Sequence, residues 1–138
     1  MKKKLILVIE DHASLRMVEG MFLGNYFEVV TKVDGLEGII WMSKGNIPDL
    51  IVLDLMMPRL SGLEFLINLK SSGIFRNIPV IIVSGDEERE VIDHCYDLGI
   101  ANYLVKPFSP KILCEKIQEV LSDNNQSRIN ATLSVPVK

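Results

Sequence analysis

The sequence predicts an α/β domain: a doubly wound parallel sheet of five strands in the order 2-1-3-4-5, with five helices covering both faces. Apolar runs of strand length alternate five times with stretches of helical period, the pattern of parallel strands joined by crossover helices. The first, third and fourth runs, "LILVI", "LIVL" and "VIIV", are apolar throughout, as strands covered on both faces are. The second and fifth, in "FEVVTK" and "NYLVK", carry polar residues and belong at the edges. That leaves 2-1-3-4-5 as the simplest right-handed winding.

Each element has its own signals. The first strand spans Leu5 to Ile9; the lysines before it imitate a secretion signal, but the apolar run is too short and Glu10 and Asp11 end it. A helix over 13–24 follows, with Leu15, Val18 and Phe22 on one stripe. The second strand, Phe27 to Thr31, leads to a helix over 35–45 striped by Leu36, Ile39 and Ile40 and stopped at Gly45. The third strand, Leu50 to Leu53, precedes a helix over 62–72. The fourth, Val80 to Val83, precedes one over 87–98, where Val91, Ile92, Cys95 and Leu98 share a stripe that Gly99 closes. After the fifth strand, Asn102 to Val105, Ser109 and Pro110 form an N-cap and first-turn proline. The helix they open covers 110–121, with Leu113, Ile117, Val120 and Leu121 inward.

Past Leu121 the chain reads "SDNNQSRINATLSVPVK", polar, without helical period and too short to fold alone. The expected organisation is therefore one domain over 1–121 and a disordered tail over 122–138. A chain of 138 residues that is 48% hydrophobic can bury a core without metals or disulfides. Fifteen basic residues against 18 acidic ones, net charge -3, make no basic face, so direct nucleic-acid binding is not expected. No run approaches the length of a membrane span. Cys95 and Cys114 have neither zinc-site spacing nor the numbers for a disulfide framework, and a cytoplasmic location is expected. Cys95 reads as a small buried hydrophobe, Trp41 as a partly exposed residue off its stripe, His94 as a solvated helix residue and His12 as part of the crevice rim.

The strand order places function. The winding reverses between strands 1 and 3, and such sheets bind ligands in the crevice beyond the carboxyl ends at that point. Strand 1 ends in Glu10 and Asp11, and strand 3 in Asp54. Two like charges repel by about 4 kcal/mol at ~4 Å in an effective dielectric of ~20, so three carboxylates there call for a cation. An oxygen-only donor set suits a hard ion such as Mg2+ better than zinc. Strand 4 runs into Ser84 and strand 5 into Lys106, which bring a hydroxyl and an ammonium to the same edge. A carboxylate nucleophile, a cation, a hydroxyl donor and a lysine together suit a phosphoryl group: Asp54 attacks phosphorus while positive charge neutralises its equatorial oxygens.

Glu10-Asp11, Asp54 within "LDLMMPRLSG" with Pro58 and Gly62, Ser84 after the fourth strand, and Lys106-Pro107 in "YLVKPF" together resemble the receiver domain of two-component response regulators. The resemblance covers residues 4 to about 121 and includes the single-domain, chemotaxis-regulator-like form with its flavodoxin-like sheet. It implies that Asp54 accepts a phosphoryl group from a phosphohistidine on a sensor histidine kinase or a histidine phosphotransfer protein. It also implies that Asp11, Asp54 and the Met56 backbone carbonyl hold Mg2+, with Glu10 acting mostly through a water. Lys106 pairs with the acyl phosphate, and Ser84 bonds a phosphoryl oxygen. Lys106-Pro107 is often cis in this family. Ser84 and Tyr103 become the switch: Ser84, lacking a partner beforehand, moves to the phosphoryl group, and Tyr103 turns from solvent into the space vacated. A downstream effector protein then reads the face of the fourth helix, fifth strand and fifth helix. Such a module is not an enzyme beyond promoting its own phosphorylation and dephosphorylation.

Two other classes share parts of the pattern. A carboxylate-nucleophile phosphatase needs a second acid two residues past the nucleophile, where this chain has Met56. A flavin carrier of the same sheet order needs a glycine- and hydroxyl-rich phosphate loop after strand 1, where this chain has "EDHASLRM", whose acids repel phosphate.

Overall fold

The computed structural model describes residues 2–133, with side-chain surroundings through residue 123. Its elements are β1 (Leu5–Ile9), α1 (Ala13–Leu23), β2 (Glu28–Lys32), α2 (Gly35–Ser43), β3 (Leu50–Asp54), α3 (Gly62–Lys70), β4 (Val80–Ser84), α4 (Arg89–Asp97), β5 (Asn102–Val105) and α5 (Pro110–Leu133). All strand pairs are parallel, in the order β2-β1-β3-β4-β5, so strand polarity alone had located the edges.

Because successive strand side chains point to opposite faces, the central strands feed two cores. Leu7, Ile9, Ile51, Leu53, Val80 and Ile82 pack with Met42 of α2, Phe65, Leu66 and Leu69 of α3 and Cys95 of α4. Ile6, Val8, Leu50, Val52, Ile81 and Val83 face Leu23 of α1 and Leu113, Ile117 and Val120 of α5. Every residue of β3 and β4 is buried. Burial also pushes the thiols of Cys95 and Cys114 above their ordinary pKa, which leaves both as small hydrophobes. Among the described residues no helix is long and apolar enough to cross a membrane.

Three local expectations are corrected. In α1 the inward line passes through Glu19 and Leu23, both fully buried, while Val18 is exposed; the helix is rotated from its apolar stripe. In α2, Leu36 and Ile40 face solvent, and Gly35, Gly38 and Met42 face the sheet. The helix lies so close to β1 that a Cβ on Gly38 would come within 2.7 Å of the Ile9 side chain, an approach that apolar periodicity does not register. Finally, the backbone stays helical through Leu133, where residues 122 onward read as disordered. Extending an existing helix costs far less than starting one, and no glycine or proline interrupts the chain between Pro110 and Pro136. Residues 134–138 of that tail lie outside the described residues.

Candidate functional site

The parallel register assembles the site. Ile9 pairs with Leu53, so the next residues, Glu10 and Asp54, lie side by side where the winding reverses. The Glu10 N–H still donates to the Lys32 carbonyl at 3.0 Å, which keeps its backbone in the ladder. Ser84 pairs with Val105, and the Lys106 N–H donates to the Ser84 carbonyl at 2.8 Å. The turn into Pro107 is cis. On the far side of Asp54, Gly62 seats α3 directly against the strand end, and a Cβ there would overlap the Asp54 carbonyl oxygen. The glycine is therefore a requirement of close approach.

Oxygens of Glu10, Asp11 and Asp54 all lie within 4.8 Å of one another, and Glu10 and Asp54 are buried. Lys106 Nζ stands 3.0 Å from Glu10 Oε1 and donates to Asp54 Oδ2 at 3.3 Å. Glu10 Oε1 meets only Lys106, in this ion pair, and Asp11 Oδ1 is a buried oxygen with no hydrogen-bond partner. Lys106 thus reaches two of the three carboxylates. Burial first, and then the neighbouring Glu10 carboxyl, push Asp54 up to about 7, although the Met56 N–H, 3.1 Å from Oδ1, and Lys106 pull it down. Burial by itself would lower Lys106; Glu10 and Asp54 outweigh it and hold the ammonium above its ordinary value. Donor-less buried oxygens in an all-oxygen, under-neutralised cluster fit a hard divalent cation. Met56 brings only its backbone to this edge, since its side chain is exposed.

Ser84 is buried but not without a partner: its Oγ accepts the Asp86 N–H at 3.1 Å. Tyr103 also departs from expectation. Although β5 is an edge strand, the Tyr103 ring packs into the core at 9% exposure, and its hydroxyl donates to the Asp86 carbonyl at 2.8 Å. An edge strand is open along its hydrogen-bonding side, whereas its faces remain covered by helices, so a tyrosine there need not face water. His12 and His94 are exposed and Trp41 partly so, as read from sequence.

Three features escaped the sequence. Arg16 of α1 donates to the carbonyls of Glu10 and Asp11 at 2.9 and 3.2 Å, tying down the loop that carries two acids; nothing in its spacing signals this. Glu19 is fully buried, both oxygens lack partners, and burial followed by repulsion from Glu10 raises it to about 8. Its signal was legible as a carboxylate midway between Leu15 and Leu23 at helical spacing. Asp34 and Arg59 form an ion pair across two loops, which no local pattern announces.

Residues 6–118 match the family model described as the response regulator receiver domain. The chain is 37% identical over 117 residues to the phosphate regulon transcriptional regulatory protein PhoB of Escherichia coli (strain K12), a match covering 84% of this chain and 51% of PhoB. The chain spans about half the length, or less, of the curated relatives it matches. Among solved structures, the phosphorylated cyanobacterial phytochrome response regulator RcpA aligns with a TM-score of 0.74 at 30% identity, covering 86% of this chain and 91% of that one. The chemotaxis protein CheY4 of Vibrio cholerae aligns with a TM-score of 0.77 at 27% identity, covering 86% and 98%.

Proposed function

The chain belongs to the response regulator receiver domain family, a signalling module of two-component systems, and on that premise we propose that Asp54 is its phosphoacceptor. Residues 1–121 constitute the receiver unit in this proposal, with 122–138 outside it, and the protein works in the cytoplasm. The donor is a phosphohistidine on a sensor histidine kinase or histidine phosphotransfer protein. An Asp54 carboxylate oxygen attacks phosphorus as the phosphorus–nitrogen bond breaks, and the electron pair of that bond stays on the imidazole. Lys106, already on Asp54 Oδ2, moves with the charge onto a phosphoryl oxygen, and the Ser84 hydroxyl donates a hydrogen bond to another. Mg2+, held by Asp11, Asp54 and the Met56 carbonyl with Glu10 acting through a water, would supply neutralising charge when bound. The observation that carries the proposal is a buried nucleophile in a cluster of three carboxylates with one ammonium. A phosphatase of this sheet class gains no support, since Met56 stands where its second acid would be.

The switch follows from two hydrogen bonds in series. Asp86 donates its N–H to Ser84 and accepts the Tyr103 hydroxyl on its carbonyl, so a Ser84 side chain drawn toward a phosphoryl group takes Asp86 and Tyr103 with it. A cavity of about 260 Å³ between Leu55, Met56, Asp86, Val91 and Cys95 offers room for that movement. The α4-β5-α5 face is where a downstream effector protein reads it, without direct contact to nucleic acid or insertion into a membrane. Incubation with acetyl phosphate and Mg2+ tests the whole: intact-mass measurement should find one added phosphoryl group, absent from Asp54→Asn and from samples with EDTA. NMR shifts in the same sample should extend to Tyr103 and α4. Phosphate on Ser84 instead would overturn the assignment.

A further inference from the structure

The loop between β3 and α3, residues 55–61, carries Met56; Leu55 is buried and Met57 and Leu60 pack against the core, while Met56, Pro58 and Arg59 are exposed. Its exposed turn at Arg59 is seated on the start of α2. Arg59 is the only non-glycine residue with positive φ among the described residues, at 66°, a conformation that L side chains seldom adopt. Its Nε donates to Asp34 Oδ2 at 2.8 Å, and Nη2 reaches the same oxygen. Asp34 is itself buried, and its other oxygen, Oδ1, accepts the Glu37 N–H at 2.9 Å as the N-cap of α2. One residue on, Leu60 lies against Gly35 so closely that a Cβ on that glycine would stand 3.2 Å from Leu60 Cδ2 and 3.3 Å from the Leu60 carbonyl oxygen. Two consecutive loop residues are thus seated on two consecutive residues of the β2–α2 junction. At its ends the loop is closed by the Gly62 N–H on the Leu55 carbonyl at 3.0 Å and by the Met56 N–H on Asp54 Oδ1.

We propose that the Asp34–Arg59 pair is a positioning strut for the cation site: it braces the loop from α2 so that the Met56 backbone stays at the carboxylate cluster. The inference rests on the Mg2+ site proposed above. A backbone carbonyl can serve as a ligand only where the loop around it is held, and partners that orient ligands typically change metal affinity by about 10- to 100-fold when removed. Arginine suits the task because its planar fork places two donors on one carboxylate.

The test uses the full chain and isothermal titration with Mg2+, beside amide hydrogen exchange of the metal-free protein. Arg59→Gly removes the pair while accepting positive φ without strain, so folding is preserved. Asp34→Asn keeps an acceptor for the Glu37 N–H but loses the charge. Each should weaken Mg2+ binding about ten-fold and speed exchange at Met56 and Gly62. The double variant should be no weaker than the poorer single one, since both remove the same contact. Arg59→Lys should restore part of the affinity. Wild-type binding together with unchanged affinity in Arg59→Gly would overturn the strut alone. A wild-type protein that does not bind Mg2+ would overturn the cation site and, with it, the role assigned to the strut.

Discussion

Asp34 and Asp54 are both buried aspartates at the carboxyl edge of the same sheet, and their environments act on them in opposite directions. At Asp34, burial favours the neutral acid, but the Glu37 N–H and the Arg59 guanidinium outweigh it and hold the carboxyl below its ordinary value. At Asp54, burial is reinforced by Glu10, and one N–H with one shared lysine does not offset them. Low solvent exposure alone therefore does not set the state of a buried acid; the supply of donors also decides it. The β2–α2 junction satisfies its carboxylate and gains rigidity. The crevice leaves its carboxylates under-neutralised, which suits an incoming cation. Glu19 extends the series to a buried acid with no donor at all.

The largest effect is expected at that extreme. Replacing Glu19 by methionine, of similar volume, should stabilise the metal-free protein by about 3 kcal/mol at pH 8. The sign follows from linkage: with its folded value raised to about 8 from an ordinary 4.5, the native state keeps a proton that the unfolded chain releases. Wild-type stability therefore falls as pH rises through that window, by at most about 1.4 kcal/mol per pH unit from this group. Denaturant melts of Glu19→Met should lack that part of the slope. A variant no more stable than wild type at pH 8 would break the ranking by donor supply.

Next comes the satisfied acid. Asp34→Ala should destabilise by about 2 kcal/mol, mostly through the lost N-cap, because Arg59 is half exposed and its ion pair is screened. Thermal melts give the value directly, and a stabilising result would erase the contrast with Asp54. Smallest is Asp54→Asn, which relieves repulsion and should stabilise the metal-free protein by about 1–2 kcal/mol above pH 7. Ten-fold excess Mg2+ over its Kd should add about 1.4 kcal/mol to wild type, seen as a few degrees in Tm, and much less to Asp54→Asn. Equal responses in the two proteins would place the cation elsewhere.

Much of this is legible in the sequence. The alternation of apolar runs, the polar residues in strands 2 and 5, and the acids that end strands 1 and 3 led directly to the sheet order and to Glu10, Asp11, Asp54, Ser84 and Lys106 at one edge. These are readable because strand burial and strand ends are local properties of sequence, and parallel winding then allows few arrangements. Helix faces were less so. The stripe through Val18 mis-rotated α1, whose inward line includes the charged Glu19, and Leu36 and Ile40 misled in α2, because neither a buried acid nor a glycine that permits close packing registers in apolar periodicity.

The chain's sequence by itself determined the class of fold, the switch point and the residues that meet there, since hydrophobic pattern and chain direction suffice for all three. Tertiary structure alone decided how those residues are partnered. It gave Ser84 and Tyr103 their shared link through Asp86, left Asp11 Oδ1 and both Glu19 oxygens without donors, and set Arg59 on Asp34 across 25 residues of chain. Hydrogen bonds and charges act over a few ångströms in space, and sequence distance carries no record of which groups will come that close.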